Sequence, residues 1–309
     1  MSKSNQQYWA KREEEAIKHR IADDERMAKE LEKMYKMALK DIHKDIAEFY
    51  MKYAIKGGMT IQEAQKLASE MDVKEFAQYA KEYVKTKDFS PKANEELGLY
   101  NLKMKISRLE LLEEQINMHL CSLYDDTTGY LYRQFNKAAY DQTKEQAGIL
   151  GATSVLTRKD VEAIVNASFK VGTFSDNIWA DKNKLKDKLM KSVVQSIVLG
   201  KHPDSLGGQF AKDMNVGLNS AKRILCTEVG QIQIAQQKAN YIENDIDYYQ
   251  IIREPGACKH CVNMGEDAKS IDGAPKYKVS ELQPGVNAPL FHPYCRCSTI
   301  PVVDKYFKN

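Results

Sequence analysis

The sequence predicts a mainly α-helical protein, with extended N-terminal helices, a helical middle and a small C-terminal α+β module. Three observations carry that reading. Ala10 to Tyr53 contains neither proline nor glycine, and its apolar residues recur at three- and four-residue steps. A second such series runs through Leu102, Ile106, Leu109, Leu112, Ile116, Leu120 and Leu123. Beyond Asn244 the character changes to short aromatic and β-branched runs broken by glycine, proline and cysteine.

In the first helix the stripe is Leu31, Met34/Tyr35, Ala38, Ile42, Ile46, Phe49 and Tyr53. Between Lys11 and Lys52 stand 11 basic and 11 acidic side chains, so the remaining surface is mixed charge and solvated. Trp9 in this charged stretch is expected to pack within the chain. Gly57-Gly58 ends the helix, and Thr60 to Glu63 forms a capping box that opens another, reaching about Val84. Ser90-Pro91 supplies an N-cap followed by proline at the first helical position. A pause is expected at Asp125-Asp-Thr-Thr-Gly129, a turn-forming cluster, with a further helix from Tyr130 to about Ala147.

A boundary is expected between Gly148 and Thr157, dividing a long amphipathic helical region (residues 1–150) from a second part (151–309). Thr157-Arg-Lys-Asp160 starts a short helix, Ser175 caps another ending at Leu199-Gly200, and His202-Pro203 opens a third. After Gly217 a long helix spans about Asn219 to Asn244. Strands are expected over Tyr248–Ile252 and Ser298–Val303.

Composition excludes several classes. The 309 residues carry 46 Lys+Arg against 43 Asp+Glu, a net charge of +3, far from the basic excess of a protein that chiefly neutralises nucleic-acid phosphate. No apolar run approaches the roughly 18 residues of a membrane span. The N-terminus lacks the apolar core of a secretory signal, so folding in a reducing cytoplasm is expected. Gly207-Gly208 has no following Gly-Lys-Ser/Thr and is no phosphate loop.

In that setting the cysteines point to metal rather than disulfides. Cys121 and Cys226 stand alone in helical patterns, while Cys258, Cys261, Cys295 and Cys297 cluster near the end. Cys258-Lys-His-Cys261 is a knuckle that presents two ligands from one tight turn, and His292-Pro-Tyr-Cys295 repeats its spacing. Zinc takes four such ligands, with Zn–S bonds of about 2.3 Å. Five candidates compete: Cys258, Cys261, His292 and Cys295 come first, Cys297 substitutes for either of the last two, and His260 is a weak sixth. Cys295 and Cys297 would face opposite ways in an extended segment. The site is expected to be structural, because no HExxH or HxE partner accompanies it. A module over residues 247–303 buries little apolar surface alone, so zinc would stabilise it substantially.

Several segments resemble, in order, the phage head-morphogenesis proteins typified by the minor head protein F of phage Mu. Tyr8-Trp9 precedes a charged helix. Phe174-Ser-Asp-Asn-Ile-Trp179 resembles the family's FSDRIW segment, and Ala221-Lys-Arg-Ile-Leu-Cys-Thr227-Glu228 resembles A-x-R-x-x-R-T-E, with Cys226 replacing an arginine. Cys258-x-x-Cys261, Asp272-Gly273 and His292-Pro-Tyr-Cys295-Arg-Cys297 resemble the closing CxxC…DG…HPxCRC block. The likeness covers most of residues 155–300 and implies a Mu F-like domain over 151–309. It further implies a non-enzymatic virion protein of a tailed phage or prophage, in the capsid interior or at the portal vertex. Such a protein acts in head assembly, DNA packaging or ejection, and its partners are the portal, other head proteins and scaffold. The chain ends soon after Cys297, so the toxin or transferase domains fused to some relatives are not expected.

Two other functions compete. A metal-dependent nuclease would need a histidine base or carboxylate set, yet the histidines are scattered at 19, 43, 119, 202, 260 and 292. A DNA-binding zinc module would draw on Tyr277, Tyr294 and Arg296, but residues 256–309 hold seven basic and five acidic side chains, a faint bias that supports only weak contact with packaged DNA.

Overall fold

A computed structural model describes residues 3–53, 73–86, 90–150, 156–167, 173–198, 206–264, 270–271 and 274–302. Gly57-Gly58, the Thr60–Glu63 box, Gly200 and His202-Pro203 lie outside these residues. Among them, helices dominate: α1 (Lys3–Tyr53), α2 (Val73–Thr86), α3 (Pro91–Leu150), α4 (Arg158–Ala167), α5 (Phe174–Val198) and α6 (Gly207–Glu243). The C-terminal part adds β1 (Tyr248–Ile252), α7 (Lys259–Asn263), β2 (Ser270–Ile271), β3 (Ala274–Pro275), β4 (Tyr277–Lys278), a 3-10 turn (Val279–Glu281) and β5 (Ser298–Val302). A mainly helical chain with a small C-terminal sheet is what the periodicity anticipates.

Three boundaries differ from expectation, each for a packing reason. No pause occurs at Asp125–Gly129, and α3 runs straight through. Leu120, Leu123, Tyr124, Thr127, Leu131 and Phe135 are all buried at helical spacing. Burial along that stripe outweighs the cost of about 1 kcal/mol for one helical glycine. Likewise α6 begins before Gly217, which is not a breaker but a site of close approach. A Cβ there would stand 3.0 Å from the Tyr124 hydroxyl and 3.3 Å from Tyr35 Cε1.

The third difference concerns a cap. Thr173, not Ser175, closes the start of α5: the Thr173 amide donates to Asp176 Oδ2 (2.7 Å), and the Asp176 amide donates to Thr173 Oγ1 (3.1 Å). Thr157 and Asp160 cap α4 in the same reciprocal way, as their spacing anticipates.

Compactness groups the chain differently from a division at residue 150. One unit comprises Met1–Lys33, Asp126–Trp179 and Leu218–Asn309; the other comprises Met34–Asp125 and Ala180–Gly217. The second buries Tyr35, Ile42, Ile46 and Phe49 of α1, Leu112, Ile116 and Leu120 of α3, and Leu189 and Val193 of α5. Lys186 Nζ pairs with Glu113 at 3.1 Å and His119 with Asp45 at 2.8 Å within it. In the first unit Phe174 meets Phe135 and Tyr132 edge-on, with centroids 5.5 and 5.0 Å apart.

The sheet also belongs to the first unit. Its order is β4-β1-β5, entirely antiparallel, and β1 pairs with β5 from Tyr248↔Val302 to Ile252↔Ser298. Beside it Ile234, Tyr241, Ile246, Tyr249, Val279, Leu282 and Ala288 form one apolar cluster, with Trp9 packed against it as expected.

Two measurements check these elements. Gly217→Val forces apart two tyrosine rings, and overpacking lowers unfolding stability by about 1–3 kcal/mol in urea titration. Asp176 is held below the ordinary carboxylate range by the Thr173 amide and hydroxyl. A depressed folded pKa adds stability above the unfolded value and loses it as pH falls through the folded value. Wild type therefore exceeds Asp176→Asn in urea midpoint at neutral pH, and the gap closes in acid.

Candidate metal centre

The pairing Ile252↔Ser298 sets two chain segments side by side, and the cysteines leave from that point. One segment follows β1 through a turn, where the Ala257 amide donates to the Glu254 carbonyl (3.0 Å), into Cys258 and α7. The other runs from His292 to Cys297 and enters β5. In it the Cys295 amide bonds the His292 carbonyl (3.1 Å) around Tyr294, whose φ of 64° is left-handed. Cys295 and Cys297 do not diverge as in an extended segment: their sulfurs lie within 4.8 Å of each other and of Cys261.

All five expected donors come together in two overlapping groups. Cys258, Cys261 and His292 form one and Cys261, Cys295 and Cys297 the other, with ligand atoms in each group within 4.8 Å of one another. Either could hold a metal ion. His292 Nε2 lies 3.3 Å from Cys258 Sγ and 3.0 Å from Cys261 Sγ, and Cys261 Sγ lies 3.7 Å from Cys295 Sγ. His260 stays outside both groups, its ring centroid 6.1 Å from that of His292. Asp272-Gly273 lies outside the described residues.

The centre has an open and a closed side. Cys258 is exposed and His292 half-buried, whereas Cys261, Cys295 and Cys297 are buried. Leu290 packs with the inner cysteines, flanked by Ala257 and Phe291. A Cβ on Gly230 of α6 would come within 2.9 Å of Leu290 Cδ1, so only glycine lets this apolar seal lie so close to the helix.

Electrostatics follow that burial. The Cys261 amide holds the Cys258 thiol below its ordinary range, while burial pushes Cys261 up to about 12. Cys297 donates to Cys295, which brings Cys295 down to about 5 and holds Cys297 protonated. His292 Nδ1 donates to the Pro293 carbonyl (2.7 Å), leaving Nε2 to face the sulfurs.

Two arginines brace the segments. Arg253 donates from Nε to the Cys261 carbonyl (3.1 Å) and from Nη2 to those of Val262 (2.8 Å) and Met264 (3.2 Å), closing the C-terminal end of α7. Arg296 Nε pairs with Asp24 Oδ2 at 2.5 Å, and its Nη1 donates to the Cys226 carbonyl (2.8 Å).

Behind β5 lies a polar network that sequence reasoning missed. Ser298 Oγ donates to Glu13 (2.6 Å), Gln237 Nε2 donates to Ser298 (3.0 Å), and Thr299 donates to Gln237 Oε1 (2.7 Å). Tyr241 and Thr299 hydroxyls lie 3.1 Å apart, Asn240 donates to Gln146 (2.7 Å), and Arg20 pairs with Glu13 and Glu145. The available signal was the amide run Gln236-Gln237…Asn240 on the same stretch of α6 as Ile232 and Ile234. Glu228, the last residue of the Ala221–Glu228 segment, is buried.

No protein-family model, curated protein or solved structure matches this chain.

Arg253→Ala removes the partner of two carbonyls of α7 and of the Met264 carbonyl just beyond it. Amide exchange at Cys261–Met264 is expected to accelerate while β1 keeps its protection, a contrast that hydrogen-exchange mass spectrometry resolves.

Proposed function

We propose that this chain is a structural minor head protein of a tailed phage or prophage, whose C-terminal module is stabilised by zinc. The observation that carries the reading is the convergence of Cys258-Lys-His-Cys261 with His292-Pro-Tyr-Cys295-Arg-Cys297 on one centre. These are the most specific segments of the resemblance to the Mu F-like proteins. Zinc suits them because tetrahedral sulfur ligands stand about 3.8 Å apart, and the Cys261 and Cys295 sulfurs lie 3.7 Å apart. Among the described residues no carboxylate joins either donor group, which favours a closed structural ion over a hydrolytic one.

In this reading the protein enters the head during assembly and resides in the capsid interior or at the portal vertex after synthesis in the bacterial cytoplasm. Its partners are the portal, other head proteins and scaffold, with weak contact to packaged DNA. The long helices with mixed-charge faces suit helix-in-groove docking on such partners.

The purified protein is expected to contain one zinc per chain by elemental analysis. Cys258→Ser or Cys261→Ser releases it and lowers the melting temperature, since structural zinc contributes about 10–16 kcal/mol in small domains. In a producing host, wild-type protein sediments with procapsids and heads, and Cys261→Ser reduces that incorporation. Absence of the protein from both particles by mass spectrometry, or a metal-dependent DNA-nicking activity lost in a folded His292 variant, would displace the structural role.

A further inference from the structure

We propose that His292 and Cys297 are alternative fourth ligands for the ion, so that Cys258, Cys261 and Cys295 retain it when either is lost. This rests on the zinc reading above and assigns the surplus donor that the spacing left open. A tetrahedral ion takes four ligands and the chain offers five. Cys261 belongs to both donor groups, and among the described residues no four donors have every ligand atom within 4.8 Å of the others. An ion bound by both groups is held through Cys261 and Cys295, whose sulfurs stand 3.7 Å apart.

The two remaining donors complete the set from opposite sides. His292 closes on Cys258 and Cys261 from the open side, at 3.3 and 3.0 Å. Cys297 closes on Cys261 and Cys295 from the closed side, where it is 4% exposed. Each is fixed by its own segment: His292 by the Nδ1 bond to Pro293, Cys297 by its position directly before β5. In the exchange the sulfur–metal bond forms as the imidazole–metal bond breaks. The Cys297 proton passes to solvent and His292 leaves as neutral imidazole, with no change of oxidation state. Cys297 is thus a buried reserve for a ligand position on the open side of the centre.

Cobalt(II) and zinc(II) binding by the full-length protein tests this. Wild type, His292→Ala and Cys297→Ser each bind one equivalent. The thiolate-to-cobalt absorption strengthens in His292→Ala, where a fourth sulfur replaces nitrogen. The double variant loses affinity by more than the product of the two single losses, the signature of mutual replacement. Loss of the ion in both His292→Ala and His292→Asn overturns the proposal, as does a double variant that is merely additive. A wild-type protein holding no ion would instead sink the zinc reading itself.

Discussion

The antiparallel pairing of β1 with β5 is the constraint on which the rest of the C-terminal part depends. It closes a long excursion of chain, an entropic cost that only non-local contacts can repay. Its last pair, Ile252↔Ser298, stands at the root of both cysteine segments, so strand register decides whether the donors meet. A slip by one residue would turn Ser298 and its neighbours to the opposite face and carry Cys297 away from Cys261. Register is fixed from behind by Ser298 and Thr299, whose hydroxyls fit the Glu13–Gln237–Tyr241 network.

That arrangement divides the labour between apolar and polar contacts. Tyr249, Ile234 and Val279 supply area, and Leu290 seals the inner sulfurs against Gly230. Area alone has no direction, whereas a network in which each hydroxyl and amide has one fitting partner selects a single register. The arginines act similarly, since Arg253 ties three carbonyls at the end of α7 and just beyond it, and Arg296 ties the second segment to Asp24 and α6.

Much of this was legible in the sequence. The stripe from Leu31 to Phe49 is buried as its spacing implied, the Thr157–Asp160 box caps α4, and Tyr248–Ile252 is a strand. The five donors were also readable, because their types and spacing carry chemistry without tertiary information. What escaped depended on distant partners. Asp125–Gly129 looks like a turn until the buried residues on either side are known, and Gly217 looks like a stop until two tyrosines lie against it. Nothing local announces that Glu13 and Gln146 will meet Gln237 and Asn240. The left-handed Tyr294, where glycine or asparagine is usual, hid the turn that folds Cys295 back on His292.

The bond between Ser298 and Glu13 spans 285 positions of the chain, and Asp24 waits equally for Arg296. A ribosome delivers the acceptors of the first helix long before their donors exist, because Arg296 and Ser298 follow at such a distance along the chain. This unit therefore matures only after residues 296–302 have left the ribosome, and until then the buried face of residues 9–24 is open to chaperones. Loss of Glu13 or Asp24 would accordingly be felt at the cysteines, across that whole span of chain.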